Sequence, residues 1–495
     1  MAISKKAFDA EAAAAMTAEL RAAFGAGRTR SYEWRVEQLN AIVKMMEDRE
    51  REIVDALRSD LGKPEFESVL YEIVTVKNSC KHTLKELKQW MKPEKAGIPL
   101  VIFPSSGEIV SEPLGLVLII SPWNYPLSLA LDPVIGAIAA GNTVVLKPSE
   151  IAPATSTFLA KHVEQYLDSS AVRVVEGGVP ETSALLEQKW DKIFYTGNGR
   201  VGRIIMAAAA KHLTPVVLEL GGKSPVIVDS DVDLKVAVRR IIVGKWGLNN
   251  GQACIAADYI ITTRDFAPKL VDALKHQLEK FYGKDPLESK DLSRVVNSNH
   301  FDRLSKILEE EKVSGKIIHG GHRNRDQLKI APTILLDVPE DSLIMNEEIF
   351  GPLLPILLVD RLEESFDLIL SRPKPLAAYV FTNNQSLKEK FVLNISAGGI
   401  VINDIAVHFT APTLPFGGVG ESGIGAYHGK LSFDAFSHKK AVLYRGFKAD
   451  AALRYPPYTA WNLSLLKALM SGSLVSIISL LFGWSKNTVA KPKVA

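Results

Sequence analysis

The sequence predicts an α/β protein built from more than one lobe, and three observations lead there: its length, a change of hydrophobic period near residue 110, and a second stretch with the same alternation. At 495 residues the chain exceeds the length at which a single core usually stops growing, so two or three lobes are expected. Between Val110 and Asp229 the short apolar runs LGLVLII, NTVVLKP, VRVVEGG, DKIFYTG, VVLELGG and SPVIVD alternate with the helix-like LSLALDPVIGAIAAG and RVGRIIMAAAAKH. Uninterrupted apolar strands separated by helices are what a parallel sheet covered on both faces requires. From about Gly221 to Asp404 the alternation recurs, with helical FAPKLVDALKHQLEKFYG and SLKEKFVLNIS and strand-like PLLPILLVD, LAAYVFT and GGIVIND. This reads as a second α/β lobe.

Composition narrows the class. With 47% hydrophobic and 23% charged residues the chain can bury a large core and lacks the charge excess of a disordered one. Lys and Arg number 59 against 56 Asp and Glu, a formal charge of +3, so nothing points to a nucleic-acid partner. The two cysteines, Cys80 and Cys254, lie in unlike contexts, so a disulfide framework is not expected and a reducing compartment fits. Asp9 and Glu11 interrupt the start of the chain, which argues against secretion and against a transit peptide.

Taken in order, residues from about Glu11 to Lys92 show helical spacing with one charged face, and Gly62 and Pro64 end a helix there. The two alternating stretches follow. Ala468 to Ser485, ALMSGSLVSIISLLFGWS, carries no charge and precedes Lys486, Lys491 and Lys493; its length is near the minimum for a membrane span. Its serines equally suit an amphipathic helix docked on the protein, so both readings stand at this point.

Four features have residue types suited to chemistry. Gly197, Asn198, Gly199, Arg200, Val201 and Gly202 follow a strand and open a helix, a turn at which backbone N–H groups and the helix dipole can approach a phosphate. Cys254, in the Gly- and Asn-rich GLNNGQACIAAD, is placed at an accessible loop where a thiolate is favoured. Glu219 ends the apolar strand of VVLELGG, where burial would raise its pKa toward that of a general base. Asn124 of SPWNYP follows the strand LGLVLII and offers an amide N–H to a developing oxyanion. Taken singly, each has an ordinary explanation: a plain turn, a core thiol, a solvated edge carboxylate, a proline-flanked turn. Together they fall at or beside the C-terminal ends of strands, where open α/β sheets place ligands. Cys80, on a helical pattern, reads as structural. His319 and His322 in an HGGH turn lack further ligands, so no metal is expected.

The segments VLIISPWNYP, TVVLKPSE, FYTGNGRVG, LELGGKSP, NNGQAC, NEEIFGP and PFGGVGESG, in this order, resemble the aldehyde dehydrogenase superfamily across nearly the whole chain. KHLTPVVLELGGKSP and TAPTLPFGGVGESGIGAYHGK resemble its class 3 branch, which includes fatty aldehyde and plant stress-associated members. Asn198-Gly199 stands where many members have Ser-Thr, while Gly197 and Gly202 are in place.

The resemblance implies a Rossmann-type parallel-sheet lobe for NAD or NADP, a second α/β catalytic lobe and a small β oligomerisation element. The corresponding boundaries are 1–94 with 113–220, then 221–397, then 95–112 with 398–447, and a tail at 448–495. It implies that Cys254 attacks an aldehyde, that Asn124 and the Cys254 N–H hold the oxyanion, and that Glu219 activates the water that releases a carboxylic acid. By the same resemblance Trp123, Lys147, Glu150, Glu348 and Phe350 join residues 197–202 as cofactor contacts, and a carboxylate at Glu150 favours NAD over NADP. Tyr125, Phe416 and His428 border the substrate funnel without a catalytic role. Medium- to long-chain aliphatic or lipid-derived aldehydes, a homodimer, and a cytoplasmic catalytic domain whose tail anchors it to an intracellular membrane such as the endoplasmic reticulum complete the expectation.

Two other activities use the same nucleophile. A CoA-acylating dehydrogenase would pass the acyl group to a thiol and has no need of Glu219. A cysteine hydrolase needs a histidine base oriented by a third group, and none of the ten histidines lies in a recognisable partner motif.

Overall fold

The computed structural model describes residues 8–448, 450–482 and 484. They fall into two compact units, the first from Met1–Trp90 with Pro113–Ser437, the second from Met91–Glu112 with His438–Ala495. The fold is the α/β type that the sequence predicts.

The first unit holds two large sheets. One has six strands: Leu116–Ile120 at its centre is flanked by Lys192–Thr196 and Val216–Glu219 on one side and by Thr143–Lys147 and Val172–Val174 on the other, all parallel. Gly423–Ile424 adds a short antiparallel edge against Glu219 and Leu218. Leu116–Ile120, Thr143–Lys147 and Lys192–Thr196 are buried at every position, the reason their sequences are continuous apolar runs and not alternating ones. The helix Ser128–Ala140 is likewise buried all round, as its lack of a polar face requires. It stops at Gly141, whose φ of +91° suits glycine and whose Cβ would meet the Arg35 guanidinium at 2.5 Å.

The region read as helical near the N-terminus is several helices: Ala10–Gly25, Tyr32–Asp48, Glu50–Leu61 and Thr75–Trp90. Gly62, in the left-handed region at φ +62°, ends the third of them. A π-helical turn at Ser68–Val74 then shifts the helical register and places Glu67 and Glu72 in the interior. Cys80 is fully buried in the last helix, and that burial pushes its thiol well up.

The other large sheet has seven strands, in the order Ile317–His319, Thr333–Leu336, Leu353–Val359, Tyr259–Thr263, Pro225–Val228, Ala377–Phe381, Gly399–Ile402. Only its first pair is antiparallel. Aliphatic residues such as Ile227, Ile261, Leu304 and Leu357 fill its core.

In the second unit, Glu94–Ala96 pairs with Ser105–Pro113, which also pairs with Ser437–Arg445. Residues 398–447, expected to act together in oligomerisation, are therefore divided. Gly399–Ile402 extends the seven-stranded sheet because the helix Gln385–Asn394 makes a crossover just long enough for parallel pairing with Ala377–Phe381. Gly423–Ile424 belongs to the six-stranded sheet, and only the segment from about 437 joins the small one. The apolar C-terminal stretch forms two helices, Ala460–Met470 and Leu474–Leu481, separated at Ser471–Ser473 where Gly472 has φ +64°. Among the described residues no helix is long and apolar enough to cross a membrane. Gly483 and residues 485–495, with Lys486, Lys491 and Lys493, lie outside the described residues.

Candidate active site

The loop that carries Cys254 is held in an unusual backbone conformation. Asn249, Asn250 and Gly251 are successive left-handed residues at φ +50°, +52° and +81°. A Cβ on Gly251 would come within 2.3 Å of the Gly351 carbonyl oxygen. Such strain persists only where surrounding bonds over-determine it, and they do here. The Asn249 N–H donates to Glu67 Oε2 at 2.9 Å, and Asn249 Nδ2 donates to the Asn124 carbonyl at 2.9 Å. Asn250 Nδ2 donates to Ser293 O at 3.0 Å, while Gln252 donates to Asn249 O at 3.0 Å and Arg294 O at 2.9 Å.

These bonds also explain a departure from the sequence reading. The polar residues beside Cys254 suggested a setting that favours thiolate, yet their amides are spent on backbone carbonyls. Burial pushes the Cys254 thiol well up, the charges of Glu348 and Glu219 push the same way, and only the N–H groups of Cys254 and Ile255 oppose them.

Asn124 and Glu219 reach the same place from the six-stranded sheet. Asn124, 3% exposed, donates through Nδ2 to the Gln252 carbonyl at 3.1 Å, which ties it to the nucleophile loop and leaves its second amide hydrogen uncommitted. Glu219 ends the strand Val216–Glu219, is 2% exposed, and has no hydrogen-bond partner on either carboxylate oxygen. Burial pushes its carboxyl well above the usual range. Both Cys254 and Glu219 line a cavity of about 530 Å³, otherwise walled mainly by apolar and aromatic side chains such as Phe409, Phe416 and Tyr427. Tyr125 lines it too, with a buried hydroxyl that has no partner. His428 lies behind this wall, stacked on Phe416 at 5.2 Å between ring centroids. Among the described residues no histidine lines the cavity.

The residues expected to hold a cofactor form two groups. Trp123 and Phe350 pack edge to face with centroids 5.3 Å apart, and Glu348 lies so close to Gly221 that a Cβ there would meet Oε2 at 2.3 Å. Glu348 is pushed up to about 8, mainly by burial and then by Asp258. Lys223 and Asp258, which the sequence did not single out, anchor this loop. Lys223 pairs with Asp258 and donates to Ile344 O at 2.7 Å and Glu347 O at 3.0 Å, while Asp258 Oδ2 accepts from the Ile349 N–H at 2.9 Å. The only local signal was Lys223 next to the paired glycines of LELGGKSP.

In the second group, the buried Lys147 at the end of Thr143–Lys147 pairs with the half-exposed Glu150 at 2.8 Å. A Cβ on Gly197 would lie 2.1 Å from the Tyr195 hydroxyl, and one on Gly202 would press on the Leu220 side chain at 3.2 Å. Asn198 caps the helix Gly199–Ala210 by accepting from the Val201 N–H at 3.0 Å. Gly199 and Arg200 stand at the open end of that helix. A glycine-bounded helix N-terminus and a buried ammonium, both at the C-terminal ends of strands of the same parallel sheet, suit the diphosphate and ribose of a dinucleotide.

Comparison with known proteins agrees with this geometry. The pattern described as "Aldehyde dehydrogenase family" matches residues 2–442. The chain is 68% identical over 480 residues to "Aldehyde dehydrogenase family 3 member H1" of Arabidopsis thaliana, covering 97% of this chain and 99% of that one. It is 48% identical over 442 residues to "Aldehyde dehydrogenase, dimeric NADP-preferring" of Rattus norvegicus, covering 89% of this chain and 96% of that one. The structure described as "Substrate bound state of Staphylococcus Aureus AldH" superposes with a TM-score of 0.89 at 41% identity, over 92% of this chain and 98% of that one. The chain belongs to the aldehyde dehydrogenase family, in its class 3 branch, and is an NAD(P)-dependent enzyme that oxidises aldehydes to carboxylic acids.

Proposed function

We propose that Cys254 is the nucleophile, Asn124 the oxyanion donor and Glu219 the hydrolytic base of this oxidation. The observation that carries the reading is that Glu219, buried and without any partner, shares one cavity with Cys254 while Asn124 is bonded to the Cys254 loop. The Cys254 sulfur bonds to the aldehyde carbon and its proton is released. The oxygen of that adduct accepts from the free amide hydrogen of Asn124 and from the Cys254 N–H. Trp123, Glu348 and Phe350 would hold a nicotinamide ring, which when bound would supply the hydride acceptor for that carbon and, as a cation, would favour the thiolate that the surrounding carboxylates disfavour. Glu219 then takes a proton from water, whose oxygen displaces sulfur from the thioester to give the carboxylic acid and the free thiol.

Trp123, Glu348 and Phe350 are placed to hold the nicotinamide half, and Lys147, Glu150 and residues 197–202 the adenosine and diphosphate half. The six-stranded sheet is then the cofactor lobe and the seven-stranded sheet the catalytic one. The carboxylate of Glu150 favours NAD, and its pairing with Lys147 leaves that preference modest. An apolar cavity of about 530 Å³ suits medium- to long-chain or lipid-derived aldehydes. Homodimerisation is supported by the printed name of the rat relative, "dimeric". For the tail we propose attachment of its apolar face to an intracellular membrane surface; Leu474, Val475, Phe482 and Trp484 are exposed there.

Hydrolysis by Glu219 favours acid release over acyl transfer to coenzyme A, and the absence of a histidine among the described cavity residues disfavours a cysteine hydrolase. Rapid-mixing absorbance of reduced nicotinamide tests the assignment. Glu219→Gln should give one stoichiometric burst that stalls with an acyl group on Cys254, seen as a mass increment on the intact protein. Turnover by Cys254→Ala would overturn it.

A further inference from the structure

One helix, Leu234–Lys245, forms a wall of the cavity, and the residues it presents change character along its length. Val236, Arg239, Arg240, Val243 and Gly244 line the space, a three- and four-residue spacing that puts them on one face. The C-terminal end of that face is packed against the nucleophile loop. The Gly244 carbonyl accepts from the N–H of Ala257, three residues past Cys254, at 3.2 Å, and a Cβ on Gly244 would meet Ile405 at 2.4 Å. Toward the N-terminus the face becomes cationic and exposed at Arg239 and Arg240.

The two guanidiniums are not equivalent. Arg240 is committed: Nη1 donates to the Asn403 carbonyl at 2.6 Å and Nε lies 3.4 Å from Asp404 Oδ2. Asp404, the carboxylate at this end of the cavity, is in turn engaged by Arg240 and by the Ile405 N–H at 2.8 Å. Arg239 makes no hydrogen bond and no ion pair with any described residue. A guanidinium left without a counter-charge at the open end of an apolar channel, with its five donors in a rigid fork, is suited to a planar anion.

We propose that Arg239 binds the anionic end of substrates that carry an aldehyde at one end of an apolar stem and a carboxylate at the other. The inference rests on the reading of Cys254 as the nucleophile, since that fixes which end of the cavity receives the aldehyde. Gly244 lies five positions after Arg239, about 7.5 Å along the helix axis, so several methylene groups lie between the reacting carbon and the carboxylate. Because Arg239 is exposed, its contribution is screened by salt.

The test is steady-state kinetics of the full-length enzyme with a straight-chain aldehyde, the ω-oxo-carboxylic acid of equal length and the methyl ester of that acid. In the wild type the acid should have a lower KM than its ester, and the difference should shrink at high salt. In Arg239→Gln the preference for acid over ester should fall by roughly 3- to 10-fold through KM and not kcat, with partial recovery in Arg239→Lys. A wild type that does not prefer the acid, or an Arg239→Gln variant that changes acid and ester alike, would overturn the proposal. Loss of turnover with none of the three substrates ever oxidised by the wild type would instead remove the reading of the cavity on which it rests.

Discussion

Two buried glutamates in different parts of the first unit show how this chain separates holding a fold from doing chemistry. Glu72, on the π-helical turn, is fully buried and fully used. It pairs with the equally buried Lys63 and accepts from the backbone N–H groups of Leu127 and Ser128 at 3.2 and 2.8 Å. The Lys63 ammonium also lies 3.9 Å from the centre of the Tyr125 ring. Glu219 is as deeply buried, yet neither of its oxygens has a partner. A buried carboxylate with three bonds fastens the helix Ser128–Ala140 and the turn before it to the N-terminal helices. One with none stays costly to ionise, so its carboxyl is held well above the usual range and becomes a proton acceptor only as pH rises past it. The difference teaches that burial alone marks neither role; the partners do.

The comparison can be broken or sharpened at several points. The largest effect is expected at Glu219→Gln, which should lower steady-state turnover by about 10²- to 10⁴-fold while leaving the first hydride transfer visible as a burst. In the wild type, kcat limited by thioester hydrolysis should rise with pH above the usual carboxylate range, because the raised carboxyl acts only when ionised. Stability carries the opposite sign. The native state holds this proton above the ordinary glutamate value, so the contribution is present at low pH and lost as pH rises through the raised native pKa. Glu67 and Glu348, each pushed up to about 8, act in the same direction. Tm measured against pH should therefore fall less steeply in Glu219→Gln; an equal slope would show that Glu219 is ionised or hydrated in the folded enzyme.

Glu72→Gln should produce the converse result, a loss of about 3–5 kcal/mol of stability in denaturant melts, because it leaves the Lys63 charge buried without its partner. If this variant were as stable as the wild type, the contrast with Glu219 would collapse. Next in size, Asn124→Ala should reduce kcat by about 10²- to 10³-fold through loss of the oxyanion donor. An effect confined to Tm would make Asn124 only a brace for the Gln252 loop. The smallest change is expected at Asn198→Ala, about 1 kcal/mol from the lost cap on Gly199–Ala210, read as a modest fall in Tm without cofactor.

Much of the fold was legible because parallel strands announce themselves locally. LVLII is apolar throughout and TVVLK and KIFYT are apolar through their middles since both sheet faces are covered, and Gly62 stops its helix by backbone conformation alone. Strand ends followed by Asn124, Lys147, Gly197 and Glu219 could be read off the same runs. The division of 398–447 among three sheets could not, because short strands such as Gly423–Ile424 have no pattern of their own and are defined by the strand they meet.

The sequence by itself determined which groups are available for chemistry: one thiol in a Gly- and Asn-rich loop, a carboxylate and an amide beside strand ends, and a glycine turn that opens a helix. Only the tertiary structure decided their state. It pushed the thiol of Cys254 up by burying it and then by bringing Glu348 and Glu219 near it, left Glu219 without partners while surrounding Glu72 with them, and tied Arg240 to Asp404 while leaving Arg239 unpaired among the described residues. The physical reason is range. Helix and strand patterns and turn conformations are set by neighbours within a few residues, whereas desolvation, pairing and charge depend on groups brought together from distant parts of the chain.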